Sequence, residues 1–446
     1  MTRSLLAAVA ALILSILSVA PAEPFKPLEV ASLPDSVVIS MSRGFSRFPA
    51  ISPCGTWVAW YSNSDTLTLE GDDNDVDLFA RDLITGEMIC ISVSEDRGPE
   101  GVGGDLFQPR GLSVSAGGDF VAFVAFRDEG RSDVMLRDVR ARRTFLVSAG
   151  LDGGAGNGSS LHPSISRNGR FIAFTSSASN LVEEDNNGFS DIFVHDMETG
   201  ITERVSRGYP GDEADGQSFL PSISWDGRMV AFTSSATNLV PGEKRQGPAV
   251  YVFDKATERT TLVSVSGDGR PASGDSFSLP CSISGDGRNI LFLLETTDLS
   301  AADSNSTEDL FVRDLPSGAT IRASLGNNLT GSGQGAFSGA LDFEGRVVVF
   351  ASSSDHLVKG DVNSGSDIFL RDLQTRRVEL ISRASDGSPV FTQSSDPVIS
   401  GNGDIVAFSA RTVDLVTGRG SENWQVFIRE IRTGKTFWVS APGTGP

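Results

Sequence analysis

The sequence predicts an all-β protein, a seven-bladed β-propeller with four antiparallel strands in each blade. Three anchor positions recur in register through seven copies of one unit. Each copy contains four short β-branched or aromatic runs divided by Gly, Asn, Asp and Ser, and no segment shows a sustained helical period. A single blade cannot bury both faces, whereas blades packed radially around a channel shield one another and leave only short edges.

The first anchor is a glycine followed five residues later by an aromatic side chain, in phrases of the form Ser-x-x-Gly-x-x-x-x-aromatic. Six intervals separate the first glycine from the last, with a mean period of about 58 residues. The glycines are Gly55, Gly118, Gly169, Gly227, Gly287, Gly345 and Gly403, and the aromatic residues are Trp60, Phe123, Phe174, Phe232, Phe292, Phe350 and Phe408.

The other two anchors follow the glycine at a fixed distance in six copies; in the second copy the third-strand phrase opens 15 residues after the glycine instead of 22. The second is the acidic residue that closes each third-strand phrase: Asp82, Asp138, Asp196, Asp254, Asp314, Asp372 and Glu430. The third is a serine ten residues later: Ser92, Ser148, Ser206, Ser264, Ser324, Ser382 and Ser440. Three anchors that keep their register through seven copies indicate a true repeat, because chance does not maintain such spacing.

The third copy illustrates how one blade is expected to fold. Its strands are predicted at 161–165, 171–175, 192–195 and 202–206. The first turn, at Asn168-Gly169, favours type I′ geometry, in which both central residues have positive φ. The aromatic residues of the second and third strands are expected to lie between neighbouring blades as structural core.

Two segments compete to close the ring. Residues 36–43 resemble a fourth strand, yet residues 435–440 also supply a fourth strand for the last blade. One segment can fill that place while the other pairs outside or stays loose. We therefore expect a ring closed by contact between the two chain ends.

The N-terminus carries the features of a secretory signal peptide. Arg3 precedes an apolar run over 5–19, and Ala20-Pro21-Ala22 gives a small-x-small cleavage pattern before Glu23. An uncleaved anchor is the alternative, and the short run disfavours it. We expect a signal peptide over 1–22, a linker over 23–35, the propeller over 36–440 and a C-terminal tail over 441–446. The mature chain is then periplasmic or extracellular, without membrane insertion.

Composition limits the partners further. Asp and Glu number 57 against 37 Lys and Arg, for a formal net charge of -20. This balance argues against nucleic acid, whose phosphates require basic side chains, and fits a monomer kept apart by self-repulsion. Cys54, Cys90 and Cys281 lack metal-ligand spacing and are expected to be small buried apolar residues.

The best copies resemble a known family. They are Pro163-Ser-Ile-Ser-Arg-Asn-Gly-Arg-Phe-Ile-Ala-Phe174 and Pro221-Ser-Ile-Ser-Trp-Asp-Gly-Arg-Met-Val-Ala-Phe232. Over residues 36–440 the sequence resembles the TolB-like propeller repeats of secreted and periplasmic bacterial proteins. The resemblance implies an interaction platform, as in TolB, or a cap over the active site of prolyl-oligopeptidase-like enzymes. TolB proper has an additional N-terminal domain that is absent here, which argues against a specific Tol–Pal role.

No motif in the sequence indicates catalysis. A G-x-S-x-G nucleophile elbow is missing, and His162, His195 and His356 have no partner nucleophile or metal set. We therefore expect packing or surface roles for the histidines, no catalytic or cofactor-binding residue, and a non-enzymatic protein. The alternative is a glycosidase or lyase acting on carbohydrate, with carboxylates supplied by several blades.

Acidic loops precede several third strands, with the shared pattern D-x-N-x-x-x-D. Oxygen-rich loops of this kind suit Ca²⁺, whereas the commoner explanation is a turn whose Asp and Asn side chains bond backbone N–H groups. The sequence leaves both readings open and favours the turn. The residues concerned are Asp185, Asn187, Asp191, Asp303, Asn305, Asp309, Asp361, Asn363 and Asp367.

Topology predicts which face of the propeller binds a partner. The second-to-third loops and the blade-to-blade loops, such as 150–160 and 267–276, share one face, here called the loop face. The first and third turns of each blade occupy the opposite turn face. Function tends to lie on long loops held by a rigid scaffold. We therefore expect the loop face to contact an envelope or extracellular protein, or a polymer.

Overall fold

The structure is a computed structural model that describes residues 44–64, 67, 76–92, 111–127, 130–242, 247–273, 281–296, 298–299, 307–327, 335–359, 361, 363, 365–388, 390, 393–416 and 419–442. The expected signal peptide, the linker and the candidate strand at 36–43 lie outside these residues, as do residues 443–446 of the expected tail.

The predicted all-β, seven-bladed fold is confirmed. The described residues form seven antiparallel sheets of four strands each and contain no α-helix. Blades 1 to 3 consist of β1 Ser46–Ile51, β2 Trp57–Ser62, β3 Asp77–Asp82, β4 Met88–Cys90, β5 Leu112–Val114, β6 Phe120–Phe126, β7 Ser132–Asp138, β8 Arg143–Leu146, β9 Ser160–Ile165, β10 Phe171–Ser176, β11 Asp191–Asp196 and β12 Ile201–Arg204.

The remaining blades follow the same order along the chain. Blades 4 and 5 consist of β13 Ser218–Ile223, β14 Met229–Ser234, β15 Ala249–Asp254, β16 Arg259–Leu262, β17 Ser282–Ile283, β18 Asn289–Glu295, β19 Glu308–Asp314 and β20 Ala319–Arg322. Blades 6 and 7 consist of β21 Ala336–Leu341, β22 Val347–Ser352, β23 Asp367–Asp372, β24 Val378–Leu380, β25 Gln393–Ile399, β26 Ile405–Val416, β27 Arg419–Glu430 and β28 Lys435–Trp438.

The first turn of each blade differs from the expected type I′ geometry. Only its glycine has a positive φ, between 67° and 78° across the seven copies, and Asn168 does not share it. In blade 3 the Gly169 N–H donates to the Ser166 carbonyl at 3.0 Å, and the Phe171 N–H donates to the Ser166 hydroxyl at 2.9 Å. The prediction of type I′ was wrong because the connection is a longer loop with only its glycine in the left-handed region.

The serine anchors hold the third strand of every blade. In blade 3 the Ser206 hydroxyl accepts the Ile192 N–H at 2.9 Å and donates to Asp191 at 2.5 Å. The backbone bond recurs in all seven blades, at Ser92, Ser148, Ser206, Ser264, Ser324, Ser382 and Ser440. The serine hydroxyl donates to an aspartate in five blades and to Gln425 in blade 7. In blade 4 the equivalent residue is Ala249, whose side chain has no acceptor.

The acidic anchors cap the third turn. In blade 3 the Asp196 carboxylate accepts the Glu198 N–H at 3.0 Å and pairs with Arg170 at 2.8 Å, and these bonds lower its pKa to about 2. Asp254 makes the corresponding bonds with Ala256 and Arg228. The acidic anchors therefore serve the blade itself, as expected of a residue shared by every copy.

The core lies between blades, which confirms the expected position of the aromatic residues. Seven apolar clusters each combine residues of two neighbouring blades. In blade 3 the rings of Phe174 and Phe193 stack with centroids 5.8 Å apart, and both are fully buried. Burying one such side chain stabilises the fold by roughly 1.5–3 kcal/mol.

The ring closes by contact between the two ends of the described chain, as expected. Strand β28 completes blade 7, and an apolar cluster joins blade 7 to blade 1 around Trp60 and Ile428. Arg81 donates to the Ala441 carbonyl at 2.7 Å, and the buried Gln425 amide donates to the Gly44 carbonyl at 3.3 Å. No described strand of blade 1 joins the sheet of blade 7. The described contacts across this junction are side-chain packing, isolated hydrogen bonds and an ion pair between Arg47 and Asp396 at 3.1 Å.

The first strands of the blades contact one another in sequence and surround a central channel. Four of them contain a β-bulge at an X-Pro pair, where the residue before proline has a φ between 55° and 58°. Proline cannot donate to a strand ladder, which explains why the bulge and the proline occur together. These pairs are Phe48-Pro49, His162-Pro163, Leu220-Pro221 and Asp396-Pro397.

Candidate functional site

The channel is blocked at the turn face by two aromatic side chains. The ring centroids of Trp225 (blade 4) and Phe343 (blade 6) lie 4.6 Å apart. A Cβ added to Gly401 of blade 7 would lie 2.0 Å from the Trp225 ring, so the indole reaches from blade 4 across to blade 7. Arg167 of blade 3 stacks over the same indole, with its guanidinium carbon 5.3 Å from the ring centroid.

Backbone hydrogen bonds link the first turns beneath this aromatic pair. The first turns of blades 2 to 7 each donate to the next blade, with the N–H groups of Ala116, Arg167, Trp225, Asp286, Phe343 and Gly401 as donors. The last of these bonds runs from Gly401 to the Pro53 carbonyl at 2.9 Å. Pro53 has no N–H, so it cannot continue the series from blade 1 to blade 2. The turn face is therefore held together around the blocked channel.

On the loop face, the acidic loop of blade 3 surrounds a buried arginine. The Arg204 Nη1 atom lies 2.9 Å from Asp185, 3.5 Å from Asp191 and 2.8 Å from Glu213. Burial raises the pKa of Asp185 to about 6 and also raises that of Asp191, against the opposing effect of the guanidinium. The loop is thus an internal ion-pair network, in which a guanidinium already supplies the positive charge.

The asparagines of these loops form the turns that the sequence favours. Asn187 accepts the Phe189 N–H at 2.9 Å and donates to Asp191 at 2.8 Å. Asn363 repeats both bonds in blade 6, accepting the Gly365 N–H at 2.7 Å and donating to Asp367 at 2.9 Å.

The acidic loops of blades 5 and 6 differ in their charge balance. Arg322 pairs with Asp309 at 2.6 Å in blade 5, where Asp303 and Asn305 lie outside the described residues. Leu380 takes the equivalent place in blade 6, and burial raises the pKa of Asp367 to about 6 and also raises that of Asp361. Within the described part of the chain, no group of three or more His, Cys, Asp or Glu side chains is placed to hold a metal ion.

Three large apolar side chains project from the loop face over blades 2 to 4. Leu151 is 64% exposed, Phe189 37% and Tyr209 59%. Their loops contact each other: the Leu151 N–H donates to Asn180 at 2.9 Å, and the Asn186 N–H donates to Glu213 at 3.4 Å. The three side chains therefore belong to loops that hydrogen bonds join to one another.

Carboxylates surround these apolar side chains. Among the exposed charged residues described at 150–159, 178–190, 207–217 and 235–242, only Arg207 is basic. The acidic ones are Asp152, Glu183, Glu184, Asp212 and Asp215. We call the loops at 150–159, 178–190 and 207–217 the acidic–apolar surface. Its chemistry suits a partner that carries basic and apolar groups.

The histidines occupy the packing and surface positions expected of them. His195 is buried, its Nδ1 atom lies 2.9 Å from the Thr202 hydroxyl, and burial lowers its pKa. His162 is the half-buried residue of a first-strand bulge, and His356 is an exposed loop residue beside Asp355.

No disulfide joins the three cysteines, and the expectation that all three are buried was only partly right. Cys281 is buried, and burial raises its pKa to about 12. Cys54 and Cys90 are half-buried. Cys54 lies in the first turn of blade 1, and Cys90 ends an outer strand, where it packs at the edge of the apolar cluster between blades 7 and 1.

A second concave feature lies on the turn face between blades 6 and 7. It is an open cleft of about 640 Å³ that includes the buried carboxyl of Asp342. Phe343 lines the same cleft and also belongs to the aromatic pair that blocks the channel. Sequence reasoning missed this cleft, although one signal pointed to it: Asp342 stands where the other six blades have serine.

Comparison with known proteins gives structural neighbours only. No family model matches the sequence, and no curated protein matches it. TolB from Acinetobacter baumannii is 15% identical, with a TM-score of 0.42 over 81% of this chain and 75% of that chain. The β-propeller domain of the Trilobed protease from Pyrococcus furiosus, described as having an open velcro topology, is 11% identical, with a TM-score of 0.50 over 90% and 99%. The seven-bladed fold that the TolB-like repeat predicts is confirmed.

A third neighbour is the oligogalacturonate lyase from Vibrio parahaemolyticus. It is 11% identical, with a TM-score of 0.51 over 88% of this chain and 90% of that chain. At these identities the likeness shows the fold alone, and propellers of this kind occur both in enzymes and in TolB. The described residues include no helix with the length and apolar character of a membrane span.

Proposed function

We propose that this protein is a non-enzymatic binding propeller whose acidic–apolar surface docks a basic segment of an envelope or extracellular protein. The observation that carries the proposal is the exposure of Leu151, Phe189 and Tyr209 among carboxylates on three connected loops. Apolar burial would drive association, and the acidic surround would select partners of opposite charge. A polymer bearing basic groups offers the same chemistry.

The test is affinity capture from an envelope extract with the intact protein and two double variants. Leu151→Ser with Tyr209→Ser removes two apolar contacts and is expected to lose the captured partner. Ile84→Ser with Ile201→Ser is the matched control, because these side chains are 51% and 65% exposed near third turns. The control should retain the partner, and added salt should release it. Equal capture by both variants would contradict the proposed surface.

The proposed location is the periplasm or the extracellular space, after cleavage before Glu23. The apolar run and the small-x-small pattern of the N-terminus support it. Mass spectrometry of the N-terminal peptide from fractionated cells is expected to find a mature chain beginning at Glu23 outside the cytoplasm. An intact N-terminus in the cytoplasmic fraction would overturn this proposal.

The alternative, an enzyme acting on carbohydrate, is supported by one feature, the cleft between blades 6 and 7. Its carboxylates come from two blades and include Asp342 and Asp404. Glycosidases place two carboxyl groups roughly 5–9.5 Å apart. Incubation with a panel of polysaccharides tests this function: new reducing or unsaturated ends that disappear in Asp342→Asn would favour the enzyme over the binding propeller.

A further inference from the structure

We infer that the cleft between blades 6 and 7 binds an organic cation, an alkyl chain that ends in an ammonium or guanidinium group. The cleft lies on the turn face, opposite the acidic–apolar surface, so the inference does not depend on the proposed docking function. Its walls come from the first turns at 342–347 and 401–404 and from the third turns of the two blades.

Asp342 is the central residue of this site. Its Oδ1 atom accepts the N–H groups of Arg346 at 2.8 Å and Val347 at 3.0 Å, as the serine hydroxyl does in other blades. The residue is only 7% exposed, and its Oδ2 atom has no hydrogen-bond partner among the described residues. Six blades form the same turn with serine, so the fold does not require this second oxygen.

The side chains that line the cleft carry more negative than positive charge, which favours a bound cation. Five carboxylates and two guanidinium groups line it. Both guanidinium groups are engaged, because Arg346 pairs with Asp372 at 2.7 Å and Arg377 pairs with Glu379 at 3.2 Å. Asp342, Glu344 and Asp404 have no ion-pair partner among the described residues, so a bound cation would compensate them.

The remaining walls suit an alkyl chain. Val347, Leu370 and Ile431 line the cleft together with Phe343. An aromatic face attracts cations, and aliphatic walls gain from covering methylene groups. Burial raises the pKa of Asp342 to about 6, so the carboxylate is ionised near pH 7.5 and largely protonated at pH 5.

Two sources of the cation can be distinguished by calorimetric titration of the intact protein at pH 7.5. Spermidine represents a free polyamine, and the blocked tripeptide acetyl-Gly-Lys-Gly-amide represents a lysine of a protein partner. We expect at least one of them to bind, and the tighter one identifies the source. The same tripeptide with acetylated lysine should bind at least tenfold more weakly. Absence of binding by both cations, or equal binding of the acetylated peptide, overturns the inference.

Variants assign the binding to the cleft. Asp342→Ser installs the residue of the other six blades, and Asp342→Asn keeps the size of the side chain; both should weaken binding at least tenfold. The matched control is Asp226→Asn, an exposed first-turn carboxylate of blade 4 where blades 3 and 7 have asparagine. It should leave the affinity unchanged. Equal affinity of the Asp342 variants and the native protein, with folding verified by melting, would contradict the site.

The pH dependence gives an independent readout. With a pKa of about 6, protonation of Asp342 should weaken binding about tenfold between pH 7.5 and pH 5. The other ionisable groups that line the cleft are Glu344, Arg346, Asp372, Arg377, Glu379 and Asp404. In Asp342→Ser the pH dependence should largely disappear; a dependence that persists unchanged would assign the effect to those neighbours and contradict the role of Asp342.

Discussion

At the scale of single residues, one outer-strand position has a different side chain from blade to blade. Arg204 and Arg322 occupy it in blades 3 and 5, and both pair with a buried aspartate. Leu380 occupies it in blade 6, where Asp367 bonds Ser382 and Asn363 instead. The same fold therefore tolerates either an ion pair or hydrogen bonds alone around this aspartate.

Removing the arginine from blade 3 should be strongly destabilising. Arg204→Leu leaves Asp185 and Asp191 buried without their cation, and we expect the free energy of unfolding to fall by about 3–5 kcal/mol. Arg207→Leu is the matched control, because this exposed arginine lies three residues away, and a change within about 0.5 kcal/mol is expected. Urea unfolding measures both. Similar losses in the two variants would show that the network does not act as described.

Several residues could not be assigned from the sequence because their neighbours belong to distant parts of the chain. The serine anchors were found by spacing alone, since the third-strand backbone N–H that each hydroxyl accepts recurs in every unit. Arg204 was not, because it meets Glu213 on the following loop only after folding. The contact between Trp225 and Gly401 links positions more than 170 residues apart, and repeat spacing carries no information about it.

At the scale of strands and turns, hydrogen bonds from side chains to backbone fix the edges of each blade. The hydroxyl of the serine anchor connects the fourth strand to the third, and an aspartate at the start of the third strand fixes its direction in five blades. The repeat predicted the strands well because hydrogen bonds between residues close in sequence determine where each strand begins and ends. The type of the first turn was missed because Asn-Gly occurs in more than one kind of hairpin.

Two serine variants test this bond. Ser206→Ala removes the acceptor of the Ile192 N–H and the donor to the buried Asp191 Oδ1 atom, while Asn187 and Arg204 still contact Asp191 Oδ2. A loss of about 2–3 kcal/mol in unfolding free energy is expected. Ser264→Ala in blade 4, where Ala249 replaces the aspartate, should lose only about 1 kcal/mol. Urea unfolding of both variants measures the two losses of unfolding free energy. A larger loss for Ser264→Ala than for Ser206→Ala would show that the bond to the aspartate does not stabilise the blade.

The acidic loops lead to a prediction about Ca²⁺. Guanidinium groups already compensate the carboxylates in blades 3 and 5, and Asx turns order the loops of blades 3 and 6. We therefore expect the melting temperature to be the same with a chelator and with millimolar Ca²⁺. A rise of several degrees with Ca²⁺ would contradict this expectation and direct attention to blade 6, which lacks the arginine.

At the scale of the whole molecule, the balance of raised and lowered carboxyl pKa values sets the pH of greatest stability. Burial raises the pKa of Asp185, Asp342 and Asp367 to about 6, so the folded state binds more protons than the unfolded state between pH 4 and 6. Stability must then decrease as the pH rises through this window. Asp196 and Asp254 have a pKa of about 2 and contribute stability that is lost as the pH falls below 4.

The melting temperature should therefore be highest near pH 4–5 and lower at pH 7.5, where the formal net charge of -20 adds self-repulsion. Melting curves from pH 3 to 8 measure this profile. Asp342→Ser should flatten part of the slope between pH 4 and 6. A maximum at pH 7 to 8 in the native protein would show that the buried carboxyls are ionised without cost to the fold.

The aromatic pair at the turn face also determines how a long ligand can approach. Trp225 extends across the base of the channel to blade 7, with Phe343 against it, so a linear chain cannot pass from one side of the disc to the other unless the indole is displaced. A molecule that enters the channel from the loop face must therefore bind through one of its ends, while the rest of it stays in solvent on the same face. Sliding of a filament through the channel is thereby incompatible with this architecture, whereas insertion of a chain terminus from one side is compatible with it.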